Sequence, residues 1–180
     1  MKQSELITAA LKGDATLVVK NARVVNVFTN EILEGDVALS EDTIIGVGKG
    51  FAAREEIDAG GAYLCPGFID AHVHIESSMV IPDSFSRVIM PHGTTTIIAD
   101  PHEIANVCGV AGVRAIYKLS DDLPLRVLFM MPSCVPATPF ENSGATLTAE
   151  DMEQFMRKSR ILGLGEVMDA VSTVNCSKDM

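Results

Sequence analysis

The rhythm of apolar positions along the chain changes once. Up to about residue 65 the apolar residues come in short β-branched runs, over 15–27, 32–39 and 43–48, parted by Asn, Gly and Asp turn signals. These predict three strands of a small β-rich module. An amphipathic stretch over 4–12 precedes them, with Ser4 placed as N-cap and Gly13 as stop. After Pro66 apolar strands alternate with helical stretches. Strands are predicted over 68–74, 94–99, 125–131 and 162–168, and helices over 82–91, 104–119 and 148–160. The last helix opens on a capping box, Thr148-Ala149-Glu150-Asp151. Strand alternating with helix implies parallel strands joined by right-handed crossovers. The strand cores are continuously apolar, as expected when both faces are covered. The tail over 170–180 carries little pattern.

Polar residues gather where these strands end: His72 and His74, then Asp100 and His102, then Ser133, then Glu166. Active sites of (β/α)8 barrels and of open α/β sheets lie at that edge. A doubly wound sheet would bring a Gly-rich phosphate loop, and the chain has none. About 115 residues follow the β-rich module, whereas a full barrel takes about 250. The expected fold is therefore α/β, the N-terminal half of a (β/α)8 barrel behind a small β-rich, β-sandwich-like module. The expected domains are 1–65 and 66–180, the second holding four βα units of a truncated barrel.

Composition narrows the picture further. The 180 residues are 47% hydrophobic with a formal net charge of -10, a globular rather than a disordered balance. The acidic excess argues against nucleic acid or an anionic membrane as partner. No apolar run approaches the roughly 18 residues of a membrane helix, and the N-terminus lacks a signal-peptide pattern. A cytoplasmic location is expected. Cys65, Cys108, Cys134 and Cys176 are widely spaced, so they read as reduced thiols rather than a zinc knuckle or a disulfide framework.

The candidate chemistry centres on His72 and His74. In an extended strand, residues i and i+2 point to the same side, so two imidazoles aim at one small volume. Neutral imidazole is a ligand for zinc, manganese, iron and nickel. Several other signatures fail. His74-Ile75-Glu76 lacks the P-C-x-x-C that zinc nucleobase deaminases pair with H-x-E. His102-Glu103 begins like H-E-x-x-H, but Asn106 stands where the second His must be. The Gly46–Gly50 run is no Walker loop, and Ser77-Ser78 lack a G-x-S-x-G elbow. His92 falls at the opposite end of its strand and reads as structural. The methionines read as core filler.

Proline-glycine, an apolar strand, Asp, then His-x-His resembles the amidohydrolase superfamily of metal-dependent hydrolases on a (β/α)8 barrel. The stretches PGFIDAHVHIESSM, GTTTIIADPHEIANV, MPSCVPATPFE and LGLGEVM resemble, more narrowly, its adenine deaminase family. That resemblance implies hydrolysis of adenine to hypoxanthine and ammonia by a metal-activated hydroxide, a purine-salvage reaction. It implies two divalent metal ions, manganese first and iron second, held by His72, His74 and a bridging Glu166. Glu166 would also count among the catalytic residues, and a carboxylate would shuttle the proton to the leaving ammonia. Asp100, His102 and Glu103 would serve catalysis at the barrel mouth, by lining the pocket or orienting ligands. Asp100 also reads as an N-cap of the helix that follows. Asp70 would stand one step behind His72, and Glu76 and Ser77 would contact substrate. The partner implied is the small-molecule purine base adenine, and the full-length protein is expected to be a homo-oligomer. The histidines and aspartate that the family places after later strands do not occur here, so activity is expected of the full-length protein and not of this chain alone. Two other readings stay open: a cyclic amide hydrolase of the dihydroorotase or hydantoinase kind, where a lysine usually replaces Glu166, and a non-catalytic fragment.

Overall fold

The computed structural model describes residues 4–5, 8–9, 12 and 15–178. The helix expected over 4–12 lies partly outside the described residues. The chain divides into two compact units, Met1–Pro66 and Gly67–Met180.

The first unit is one sheet. Strands β1 (Ala15–Asn26), β2 (Glu31–Ser40) and β3 (Thr43–Gly48) match the three apolar runs. Two further strands, β4 (Ala53–Asp58) and β5 (Tyr63–Leu64), pair in parallel with β1. Neither was expected. The Arg54-Glu55-Glu56 run of β4 is exposed and shows no apolar alternation, because that strand contributes backbone pairing rather than core. The order is β3-β2-β1-β4. Asn21 takes φ 55 where the β1–β2 register slips, a left-handed position that Asn tolerates. One face buries Ala15, Val18, Ala38, Ile45 and Phe51. The other exposes Ile44 and Val47 beside Leu17, Leu33 and Leu64, which share one apolar groove.

The second unit carries a four-stranded sheet in the order β6-β7-β8-β9: Phe68–Val73, Thr94–Ala99, Arg126–Met131 and Ile161–Leu164. Every pairing is parallel. Helix α1 (Pro82–Ile89) and a 3-10 turn (Met90–His92) connect β6 to β7, α2 (His102–Leu119) connects β7 to β8, and α3 (Ala149–Met156) connects β8 to β9. This is the strand–helix alternation that the apolar pattern predicts. Ile97, Ala99, Val127 and Phe129 of the two inner strands pack with Ile75, Ile116 and Leu125 into one core. Met131 joins Ala105, Val113, Val135, Leu147, Met152 and Phe155 in a second. Full burial of side chains of this size stabilises by about 1.5–3 kcal/mol each.

The expectation that both faces of every strand are covered fails at the edges. Phe68 and Ile69 of β6 are 59% and 65% exposed, and Leu162 and Leu164 of β9 are more than half exposed. An edge strand has a neighbour on one side only, so part of its side-chain surface stays open.

Several boundaries also differ, and β9 ends at Leu164, four residues short of the expected 168. Helix α2 starts at His102 rather than Ile104, and Gly109 interrupts it at φ 59, ψ -147. The break frees the Asn106 carbonyl, which accepts the N–H groups of Gly144 and Ala145 at 2.9 and 3.1 Å. Helix α3 ends at Met156, four residues short of expectation, but its capping box forms as predicted: Thr148 and Asp151 exchange hydrogen bonds. The tail is not featureless. Asp169 caps a short helix α4 (Ala170–Val174) by accepting the Ser172 N–H.

Candidate metal centre

His72 lies in β6 and His74 one residue past its end. The β6–β7 register slips between Asp70 and Val73, so the backbone departs from a regular ladder where the first imidazole is presented. Asp70 holds this local turn by accepting the His72 backbone N–H at 3.2 Å. The two rings meet edge to face, with centroids 4.8 Å apart and planes at 85°. Their Nε2 atoms face each other at 3.1 Å. Glu166 Oε1 lies 3.7 Å from His72 Nε2 and 3.5 Å from His74 Nε2. One ligand atom from each of the three residues falls within 4.8 Å of the others.

The His74 tautomer follows from its other nitrogen. Nδ1 stands 2.8 Å from the Asp100 carbonyl oxygen and 3.0 Å from Glu103 Oε2. Both are acceptors, so Nδ1 carries the proton and the Nε2 lone pair faces His72 and Glu166. This is how a metal-ligating histidine is oriented. Two imidazole nitrogens bound to one ion at about 2.1 Å and right angles stand about 3.0 Å apart, close to the 3.1 Å found. Two nitrogens and a carboxylate thus fit a divalent cation, and a hard-to-intermediate one such as zinc, manganese or iron.

The remaining predicted residues form a shell behind the triad. Asp100 is 0% exposed and does not cap α2, whose N-cap is Pro101 with no side-chain bond. Neither carboxyl oxygen of Asp100 completes a hydrogen bond. Burial pushes its pKa up, and His102 and His74 pull it partly back. His102 is 7% exposed, with neither ring nitrogen bonded. Glu103 is raised by burial, but the Ser77 hydroxyl, its own backbone N–H, His74 and His102 outweigh that and leave it below the usual range. Ser77 Oγ donates to Glu103 Oε1 at 2.7 Å.

Glu76 does what Asp100 was expected to do. Its Oε1 accepts the Ile104 N–H at 3.1 Å, satisfying an open donor in the first turn of α2. Its Oε2 is buried without a partner, and burial raises its pKa. The structure places Glu76 as a cap of α2. Nothing in the spacing of Glu76 and Ile104 could have revealed this, because the two meet only through the β6–β7 pairing.

Sequence comparison agrees with this geometry. Residues 63–179 match the amidohydrolase family model, and the chain belongs to that family. It is 51% identical over 180 residues to an adenine deaminase of Halalkalibacterium halodurans, covering 99% of this chain and 31% of that protein. An adenine deaminase of Clostridium acetobutylicum is 55% identical over 156 residues, covering 87% of this chain and 27% of that protein. The chain thus spans about a third of the length of these curated relatives. Among solved structures, a triazine hydrolase of Arthrobacter aurescens superposes with TM-score 0.62 at 16% identity over 86% of this chain and 48% of that one. Zinc-complexed atrazine chlorohydrolase from Arthrobacter aurescens TC1 gives TM-score 0.62 at 15% identity, with the same coverage. These likenesses establish the fold. Among the described residues no helix is long and apolar enough to cross a membrane.

Proposed function

We propose that this chain carries the first part of the active site of an enzyme that hydrolyses adenine to hypoxanthine and ammonia. The observation that carries the proposal is the convergence of His72, His74 and Glu166, in a chain about half identical to adenine deaminases. Because the chain spans about a third of their length, the activity is assigned to the full-length protein. With it go a cytoplasmic location, a role in purine salvage and a homo-oligomeric assembly.

His72 and His74 would hold a divalent ion through Nε2, with the Glu166 carboxylate as a further ligand. Manganese is the first candidate and iron the second. Bound there, the ion supplies the Lewis acidity that makes water a nucleophile near neutral pH. The chain's own residues do the rest. Asp100, through its carbonyl, and Glu103 keep the His74 Nε2 lone pair turned inward. Glu166, with its side chain 42% exposed, faces the same volume as the two imidazoles, and a carboxylate at this edge would take a proton from water and pass it to the departing amino group of adenine. The buried Asp100 and His102 back this edge. Ser77, exposed at the rim, holds Glu103 and stands nearest to substrate.

The test is an ammonia-release assay on the manganese-loaded full-length protein, with adenine, other purines and cyclic amides as substrates. Adenine is expected to be preferred. His72→Ala and Glu166→Ala each remove several kcal/mol of charge stabilisation, on the order of 10³ in rate. Full turnover in either variant would remove the proposed ligand role, and preference for a cyclic amide would reassign the substrate.

A further inference from the structure

Glu166 lies beyond the end of its strand. The β9 ladder closes with Gly165 N–H donating to the Met131 carbonyl at 2.6 Å, and residues 165–169 have no regular structure. The Glu166 side chain is too exposed for packing to hold it. What holds this stretch instead is a pair of side chains just past β8. Ser133 Oγ donates to the Glu166 carbonyl at 2.7 Å. Cys134, 6% exposed, accepts the Met168 N–H on its sulfur at 3.4 Å. The Ser133 hydroxyl has a single proton, and the 3.6 Å contact to Cys134 Sγ is the weaker of its two options. On the other side the Asp100 carboxyl sits so close to Gly165 that a Cβ there would overlap it.

Tethers at backbone positions 166 and 168, with Asp100 against position 165, hold the Glu166 backbone, from which its carboxylate reaches His72 and His74 at 3.7 and 3.5 Å. His72 and His74 need no such device. The Asp70 carboxylate accepts the His72 backbone N–H, and His74 is held through Nδ1.

We propose that Ser133 is a positioning residue for Glu166, with Cys134 as a second tether, and that the pair takes over where the β-ladder ends. The consequence for metal binding rests on the ligand reading above; the tether itself does not.

The test uses the full-length protein with Ser133→Ala, Ser133→Thr, Cys134→Ala, Glu166→Ala and the Ser133→Ala/Glu166→Ala double variant. Two quantities are read: amide hydrogen exchange over 165–169 without added metal, and the Mn²⁺ dissociation constant from electron paramagnetic resonance titration. Losing one net hydrogen bond is expected to speed exchange over 165–169 about 5-fold in Ser133→Ala, with β7 and β8 unchanged. Mn²⁺ binding is expected to weaken about 10-fold. Ser133→Thr keeps the hydroxyl and should restore both. In the Glu166→Ala background, Ser133→Ala should add nothing to the Mn²⁺ effect.

Unchanged exchange over 165–169 in Ser133→Ala overturns the proposal. So does an Mn²⁺ loss that persists undiminished without Glu166, because Ser133 would then act elsewhere. Faster exchange together with Mn²⁺ binding that ignores Glu166→Ala upholds the tether and sinks the metal-ligand reading. Should Ser133→Ala fail to fold, Cys134→Ala decides: faster exchange at Met168 supports the tether, and unchanged exchange there overturns it.

Discussion

In the first unit β1, β2 and β3 pair antiparallel with one another, so each edge of that part of the sheet carries strand starts and strand ends in turn. Its polar side chains serve the backbone. Asn21 bonds Asp36 and Asp58 at 3.1 and 3.0 Å, and the Asn21 amide and Gly60 N–H hold the Asp58 pKa down. In the second unit all four strands run parallel, so every C-terminal end falls on one edge. Residues far apart in sequence (His74, Asp100, Ser133 and Glu166) meet there through contacts of 2.7–3.5 Å. The lesson is topological. A parallel sheet collects the ends of successive strands, and polar residues placed at those ends become one site. An antiparallel sheet with the same number of polar groups disperses them.

Substitutions can break or sharpen this contrast. Phe129→Ala removes a 1%-exposed ring that packs on Tyr117 in the core behind the site. It should cost about 3–5 kcal/mol in denaturant unfolding, and a cost below about 1 kcal/mol would mean that the inner strands are not the stabilising centre. Gly165→Ala puts a Cβ into the Asp100 carboxyl. It should cost about 2 kcal/mol by overpacking and weaken Mn²⁺ binding; native affinity would show that Glu166 tolerates displacement. Val18→Ala in the core of the first sheet, at 0% exposure, should cost about 2 kcal/mol and leave Mn²⁺ affinity untouched. An affinity change there would join the two sheets functionally.

The smallest effects concern helix α3. Thr148→Ala should cost about 1 kcal/mol by breaking the capping box. The Thr148 N–H and hydroxyl hold the Asp151 pKa below its ordinary value. Asp151 therefore adds stability above the unfolded carboxylate range, near about 3.9, and loses it as pH falls through the lower folded value. Asp151→Asn should flatten that acid limb in a pH series of thermal melts. An unchanged limb would show that the box does not depend on charge.

Much of this was legible along the chain. Three of the five strands in the first sheet and all four in the second announce themselves through apolar runs. His72 and His74 were legible as a pair because a period of two is a local property of a strand. Strands β4 and β5 were not, since a charged run and a two-residue strand carry no apolar signal. Other features are written in no local pattern: Glu76 as the cap of α2, the break at Gly109 filled by 144–145, and the exposed faces of β6 and β9.

Sequence alone determined the alternation of strand and helix, the capping box at Thr148, the polar residues at strand ends and the direction of the two imidazoles. Each follows from spacings of two to four residues, which the backbone period converts directly into geometry. Only the tertiary structure decided that Glu166 stands 3.5 Å from His74, that Asp100 is sealed against Gly165, and that Ser133 rather than a β-ladder holds the Glu166 backbone. Those depend on register between strands 30 or more residues apart in the chain. Local propensity does not encode such a register; only the packing of the whole sheet sets it.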